Sequence, residues 1–151
     1  MPDVREDILA RLLEVVATIP NIRFAERNVV DIPELPLPAV IVYDGDEETD
    51  DVNDVSMRPA NRPTVVQMIP EIVIKQQSDQ AGSDLTTLRR ELIKRVLNDT
   101  TLNEQIVKTG RYGNGAIRYL GCRTDFGYGR SLQGGLIANF MFKYTLKPDD
   151  L

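Results

Sequence analysis

The stretch Leu136–Leu146, LIANFMFKYTL, decides the fold class. Leu136, Ala138, Phe140, Phe142, Tyr144 and Leu146 recur at every second position without a break. The alternate positions, continuing to Lys147, carry Asn139, Lys143, Thr145 and Lys147, with Ile137 and Met141 among them. A period of two with one apolar side describes a strand whose one face lies in a core and whose other meets water. A second long strand precedes it, roughly Ala116–Phe126. The linker between them, GYGRSLQGG, is longer than a tight hairpin turn needs, and its glycines permit positive φ.

Working back toward the N-terminus, the period changes to 3.6. In GSDLTTLRRELIKRVLND, Leu85, Leu88, Leu92 and Val96 form one helical stripe, Ser83 is the expected cap, and Glu91 can pair with Arg95. Asp99 is placed to cap a short helix, TLNEQIVK. Before these lies TVVQMIPEIVIKQQ, a strand with Val66, Met68, Ile72 and Ile74 on one face. Pro70, in its middle, implies an edge or a bulge. AVIVYD is a compact β-branched strand expected to be central. NIRFAERNVV reads as a short strand, and DIPELPLP, with three prolines, as an extended connector. At the start, Asp3 and Glu6 have capping-box spacing ahead of a stripe of Ile8, Leu12, Val15, Val16 and Ile19, and Pro20-Asn21 ends that helix. The expected fold is therefore α+β: a single domain over 1–151, with a mostly antiparallel mixed sheet and two amphipathic helices packed on one face.

Composition narrows the function. With 151 residues, 42% hydrophobic content and a net charge of −5, the chain can bury a real core, and its balance argues against wholesale nucleic-acid binding. There is no apolar run long enough to span a membrane. The N-terminal segment carries acids where a signal peptide would carry bases, so it reads as mature structure. Cys122 is the one cysteine, which fits a reducing compartment. It reads as a small buried hydrophobe on a face with Leu120 and Phe126. No histidine is present, which removes the commonest general base and metal ligand, and no nucleophile–base pair can be assembled unless a lysine serves. GRYGNG lacks the Lys-Ser/Thr of a phosphate loop, and GYGRSL precedes a strand where a dinucleotide fingerprint would open a helix. No catalytic residue and no cofactor is expected.

The unusual segment is DGDEETDDVNDVSMRPANRP, residues 44–63, expected to be a long loop between the second and third strands. It holds seven carboxylates in the eleven residues from Asp44 to Asp54. A calcium loop needs Gly at its sixth position and Glu at its twelfth. Counting from Asp44 gives Thr49 and Val55, and from Asp46 gives Asp51 and Met57, so both registers fail and no metal site is expected. Two other readings stay open: a solvated tether, mobile in the monomer, or a segment that orders against another protein. The last third of the chain has the opposite sign. From Lys108 to Arg130 lie Lys108, Arg111, Arg118, Arg123 and Arg130 against Asp125 alone. Self-complementarity, as in a head-to-tail ring, makes Asp46, Glu47, Glu48, Asp50, Asp51, Arg58, Arg62, Arg118, Arg123, Tyr128 and Arg130 a candidate assembly interface.

Several stretches together resemble the tail terminator (tail completion) family of long-tailed bacteriophages and related gene transfer agents. They are REDILARLLEVVATIPNIRFAERN, LPLPAVIVYDGDEE, the strand and helix after the acidic segment, and RYLGCRTDFGYGRSLQGGLIANFMFKY. The local signatures are Leu37-Pro38-Ala39 leading to Asp44-Gly45-x-Glu47, and Thr124-Asp125 followed by the aromatic strand ending at Tyr144. The resemblance implies an α+β virion protein that is no enzyme. It would assemble as a hexameric ring on the completed tail tube, stop tube polymerisation and offer the surface to which the head's connector docks. Its partners would be itself, the tail tube protein and the head–tail connector, with DNA met only in passage through the ring, and it would reside in the host cytoplasm until assembly. Alternatives are another neck component, such as a head-closure or head–tail joining protein, and a cellular small-ligand-binding or regulatory α+β domain.

Overall fold

The structure, a computed structural model, describes residues 3–30, 36–50, 63–77, 81–110, 116–126 and 133–147. The elements run α1 (Val4–Ala17), β1 (Phe24–Arg27), β2 (Ala39–Asp50), β3 (Thr64–Gln77), α2 (Ala81–Leu97), α3 (Thr100–Val107), β4 (Ile117–Phe126) and β5 (Gln133–Leu146). The five strands form one mixed sheet in the order β1-β2-β3-β5-β4. β1 runs parallel to β2, and every other neighbouring pair is antiparallel. The α+β single-domain class expected from the alternation in β5 is the class observed.

One face of the sheet makes the core. Val40, Val42, Val66, Met68, Ile72, Ile74, Leu136, Ala138, Phe140, Phe142 and Tyr144 join the helical stripes in a single buried cluster. From α1 come Ile8, Leu9, Leu12, Val15 and Val16; from α2, Leu85, Leu88, Leu92 and Val96; from α3, Leu102 and Ile106. All three helices thus lie on the same side, where two were expected to form the layer. No described helix covers the opposite face, which presents Val65, Gln67, Ile69, Glu71, Val73 and Lys75 of β3 at partial exposure. Ala39, Ile41 and Met141 are buried on that side too, and the Tyr43 hydroxyl donates to the Val29 carbonyl at 3.0 Å.

Caps and ion pairs fasten the helical layer. Asp3 caps α1 by accepting from the Arg5 amide, and Asp99 caps α3 by accepting from the Leu102 amide at 2.9 Å. The same Asp99 carboxylate takes a two-pronged contact from Arg11, at 3.0 Å from Nε and 2.7 Å from the terminal nitrogen, tying α1 to the α2–α3 junction. Glu91 and Arg95 pair along α2 at 3.3 Å. Ser83 does not cap α2. The helix starts earlier, at Ala81, and the Ser83 carbonyl accepts from the Thr87 hydroxyl inside its first turns.

The largest revision concerns the long acidic loop. Asp44–Asp50 continue β2 as a strand paired with β3, Asp46 opposite Ile69 and Glu48 opposite Gln67. The proposed loop over 44–63 therefore begins no earlier than residue 51, and its remainder, 51–62, lies outside the described residues. Pro70 sits in the middle strand of the sheet and not at an edge, so of the two options the bulge holds. β2 gains one residue relative to β3 between Tyr43 and Asp46, directly opposite Ile69–Pro70. On the other side the ladder to β5 breaks between the Met68–Phe142 and Glu71–Asn139 pairs, where proline has no amide to donate.

The Arg11 hydrogen bonds hold the Asp99 carboxyl below the ordinary carboxylate range, and the hydrogen bond from Arg27 does the same for Glu6. Carboxyls with folded values below their unfolded values stabilise the fold above about pH 4 and lose that contribution as pH falls through the folded values. The parent should accordingly lose melting temperature below about pH 4. Asp99→Asn, which keeps the cap but loses the ion pair, should be less stable at neutral pH by up to about 1 kcal/mol and should show a flatter acid limb. Thermal melts across pH check this, and an equally steep limb in the variant would contradict it.

Candidate functional site

The described residues among those singled out for assembly separate into two sets on different edges of the sheet. β1 pairs only with Ala39–Val42, so beyond Asp44 the outer side of β2 has no strand beside it among the described residues. β4 closes the other side, paired with β5 alone. Asp46, Glu47 and Glu48 are exposed on the first edge, and Arg118 and Arg123 are exposed on the second. Within one chain the structure does not bring these acids and bases together. Asp51, Arg58, Arg62, Tyr128 and Arg130 lie outside the described residues, and for Asp50 only the backbone position is described.

Two bulges determine which way these charges face. The extra residue in β2 is absorbed at Gly45, whose φ is +70°. A Cβ there would lie 2.9 Å from the Pro70 Cα and closer still to the Ile69 carbonyl, so only glycine fits. After the shift Asp46 and Glu48 stand opposite Ile69 and Gln67, on the helix-free face, while Glu47 stands opposite Met68 on the core face. In β4 the shift falls between Tyr119 and Gly121, whose φ is +121°. It leaves Arg118 and Arg123, opposite Met141 and Ile137, both on the helix-free face. The same shift separates Cys122 from the exposed Leu120 and turns it toward the core with Ile117 and Tyr119, where it is half-buried.

Glu47, a candidate for the assembly interface, is exposed, and its carboxylate accepts a hydrogen bond of 2.7 Å from the hydroxyl of Tyr144, a ring 1% exposed in the core. Burial, reinforced by this carboxylate, pushes the Tyr144 hydroxyl well above its ordinary pKa, so it stays a donor. The root of the acidic run is held as well. Arg27 reaches Asp44 at 3.0 Å and Glu6 at 2.7 Å, the Asp44 amide donates to the Asn28 side chain, and Arg5 donates to the Gly45 carbonyl at 3.4 Å. The acidic edge is therefore a positioned strand and not a free tether, as far as Asp50.

Sequence reading missed a second polar cluster at the β4 edge. The Arg89 Nε of α2 donates to the Tyr119 hydroxyl at 3.1 Å with its guanidinium 5.5 Å from the ring centroid, and Tyr119 packs on Phe140 at 5.4 Å. Burial raises the Tyr119 hydroxyl, and the hydrogen bond to Tyr119 raises Arg89. The only signal in sequence was an Arg in the α2 stripe register and a Tyr in a strand, which occurs without consequence in most chains. Two open grooves border α2. One, about 560 Å³, is crossed by the Arg11–Asp99 and Glu91–Arg95 pairs; the other, about 490 Å³, is lined by Arg89, Arg90, Ile93, Lys94 and Leu97. Among the described residues, no three His, Cys, Asp or Glu side chains stand together as metal ligands, and no helix is long and apolar enough to cross a membrane.

No protein-family model matches the chain, and no curated protein matches it.

Because Glu47 satisfies a buried hydroxyl and Glu48 faces solvent, neighbouring acids should respond differently to truncation. Glu47→Ala should cost about 1 kcal/mol, and in a Tyr144→Phe background most of that cost should vanish. Glu48→Ala should stay within about 0.5 kcal/mol of the parent. Urea unfolding of the parent and the four variants measures this; equal costs at positions 47 and 48 would refute the assigned facing.

Proposed function

We propose that this chain is a structural protein of a phage-type tail: a ring-forming terminator that caps the tail tube, ends its polymerisation and offers a joining surface to the head. The single observation that carries the reading is a sheet that, among the described residues, has helices on one face only and no strand beside β2 beyond Asp44 or outside β4, with exposed charges of opposite sign on those two edges. A self-contained enzyme or carrier domain gains nothing from such edges, which are ordinarily guarded against pairing. A subunit that must meet copies of itself and a tube end uses all three surfaces. Support also comes from the element order and from the stretches that resemble the tail terminator family.

A capper works by repetition. Each subunit contributes weak, exposed charge pairs, and a closed ring presents them together to a tube end of matching symmetry. A net charge of −5 keeps the unassembled chain soluble until such an end appears. In this role the protein is not an enzyme and needs no cofactor; its partners are its own copies, the tail tube protein and the head connector, and it ends in the virion.

Adding the purified protein to its cognate tail tube protein during polymerisation tests the proposal. Tubes should become shorter in proportion to the added protein, with extra density at one end in negative stain. Unchanged length with bare ends would overturn it, and binding to the head connector without any effect on tubes would point to another neck component.

A further inference from the structure

We propose that copies of this chain join edge to edge: the open stretch of β2, Asp46–Asp50, pairs with β4 of a neighbouring copy, so that one five-stranded sheet continues into the next. This deepens the ring reading above and rests on it for biological meaning, but the contact itself is argued from the sheet.

Both edges are available. Among the described residues no strand lies beside β2 after Asp44 or on the outer side of β4. Charged side chains on an edge usually prevent pairing, and they do so when the edges that would meet carry like charge. Here the signs differ: Asp46 and Glu48 on one edge, Arg118 and Arg123 on the other. Two acidic edges repel, two basic edges repel, and only the unlike combination attracts. That selects a head-to-tail contact over a two-fold dimer, and head-to-tail contacts close into rings when the rotation allows.

Strand direction agrees. β2 is antiparallel to β3, β3 to β5 and β5 to β4, so β2 and β4 of one chain run in opposite directions. A rotation about an axis along the strands then sets β4 of one copy antiparallel to β2 of the next, the better-bonded arrangement. The facing agrees as well. The two bulges put Asp46, Glu48, Arg118 and Arg123 on the helix-free side, so in a continued sheet they become same-face cross-strand neighbours. The acidic edge is also prepared for pairing, because the Glu47–Tyr144 hydrogen bond and the Arg5 contact to the Gly45 carbonyl hold it in strand geometry.

The test uses two charge-reversed full-length proteins, Asp46→Lys with Glu48→Lys, and Arg118→Glu with Arg123→Glu. The first carries bases at the helix-free positions 46 and 48 as well as 118 and 123, and the second carries acids at all four. Each alone should self-associate at least roughly tenfold more weakly than the parent, by sedimentation or mass photometry. Mixed in equal amounts they should recover assemblies in which the two alternate, and that recovery also proves that both fold. In parent assemblies, hydrogen exchange should slow at amides 46–49 and 117–124 relative to the monomer. Edge pairing is overturned if the parent stays monomeric at millimolar concentration, if both variants assemble like the parent, if the mixture recovers nothing although each variant melts like the parent, or if those amides gain no protection. Rings that obey the charge rule but ignore tube ends would leave edge pairing standing and remove the capping role. Variants that no longer self-associate yet still shorten tubes would remove edge pairing and leave the capping role.

Discussion

A single extra residue in β2 decides which way Asp46, Glu47 and Glu48 point. The residue is accommodated at Gly45, which has positive φ and sits against the Ile69 carbonyl and the Pro70 backbone with no room for a side chain. Side chains alternate along a strand, so one inserted residue exchanges the two faces for all that follows. A straight β2 would continue the inward set of Val40 and Val42 with Asp46 and Glu48, placing two carboxylates on the core face of the sheet. The bulge turns them to the open face and brings Glu47 alone inward, where the Tyr144 hydroxyl receives it. Gly121 performs the corresponding exchange in β4, keeping Arg123 outward beside Arg118 and turning Cys122 in.

The rest of the architecture is compatible with those two exchanges and gains its character from them. The helical layer is an ordinary one: three apolar stripes on one sheet face, locked by Asp99 between Arg11 and the α3 amide. The exposed charged edge residues Asp46, Glu48, Arg118 and Arg123 lie away from it, on the face without a described helix. Their charges are separated within the chain by the full width of the sheet, so they cannot neutralise one another internally and remain available to other copies. That separation links the fold to the ring-capping proposal more directly than any one residue does.

Local patterns were readable in sequence where their partners are close in the chain. The alternation in β5, the stripes of α1 and α2, the Glu91–Arg95 pair and the Asp99 cap all depend on residues within a turn or two of each other. What escaped depends on contacts far apart in the chain. Asp44–Asp50 look like a solvated loop by composition, and they form a strand because β3 offers a ladder and Tyr144 a hydrogen bond, 97 residues from Glu47. Arg11 meets Asp99 across 88 positions. Cys122 was assigned to the face of Leu120 by strict alternation, which a bulge invalidates without changing composition. Of the candidate interface, Asp46, Glu47, Glu48, Arg118 and Arg123 are exposed, and Glu47 also accepts a hydrogen bond from the buried Tyr144.

The most direct measurement is of the register beyond the bulge. In isotope-labelled protein, cross-strand nuclear Overhauser contacts should link Asp46 with Ile69, Glu47 with Met68 and Thr49 with Val66. Contacts linking Gly45 with Ile69 and Asp46 with Met68 would mean an unbulged strand, and the placement of the charges on the open face would fall with it.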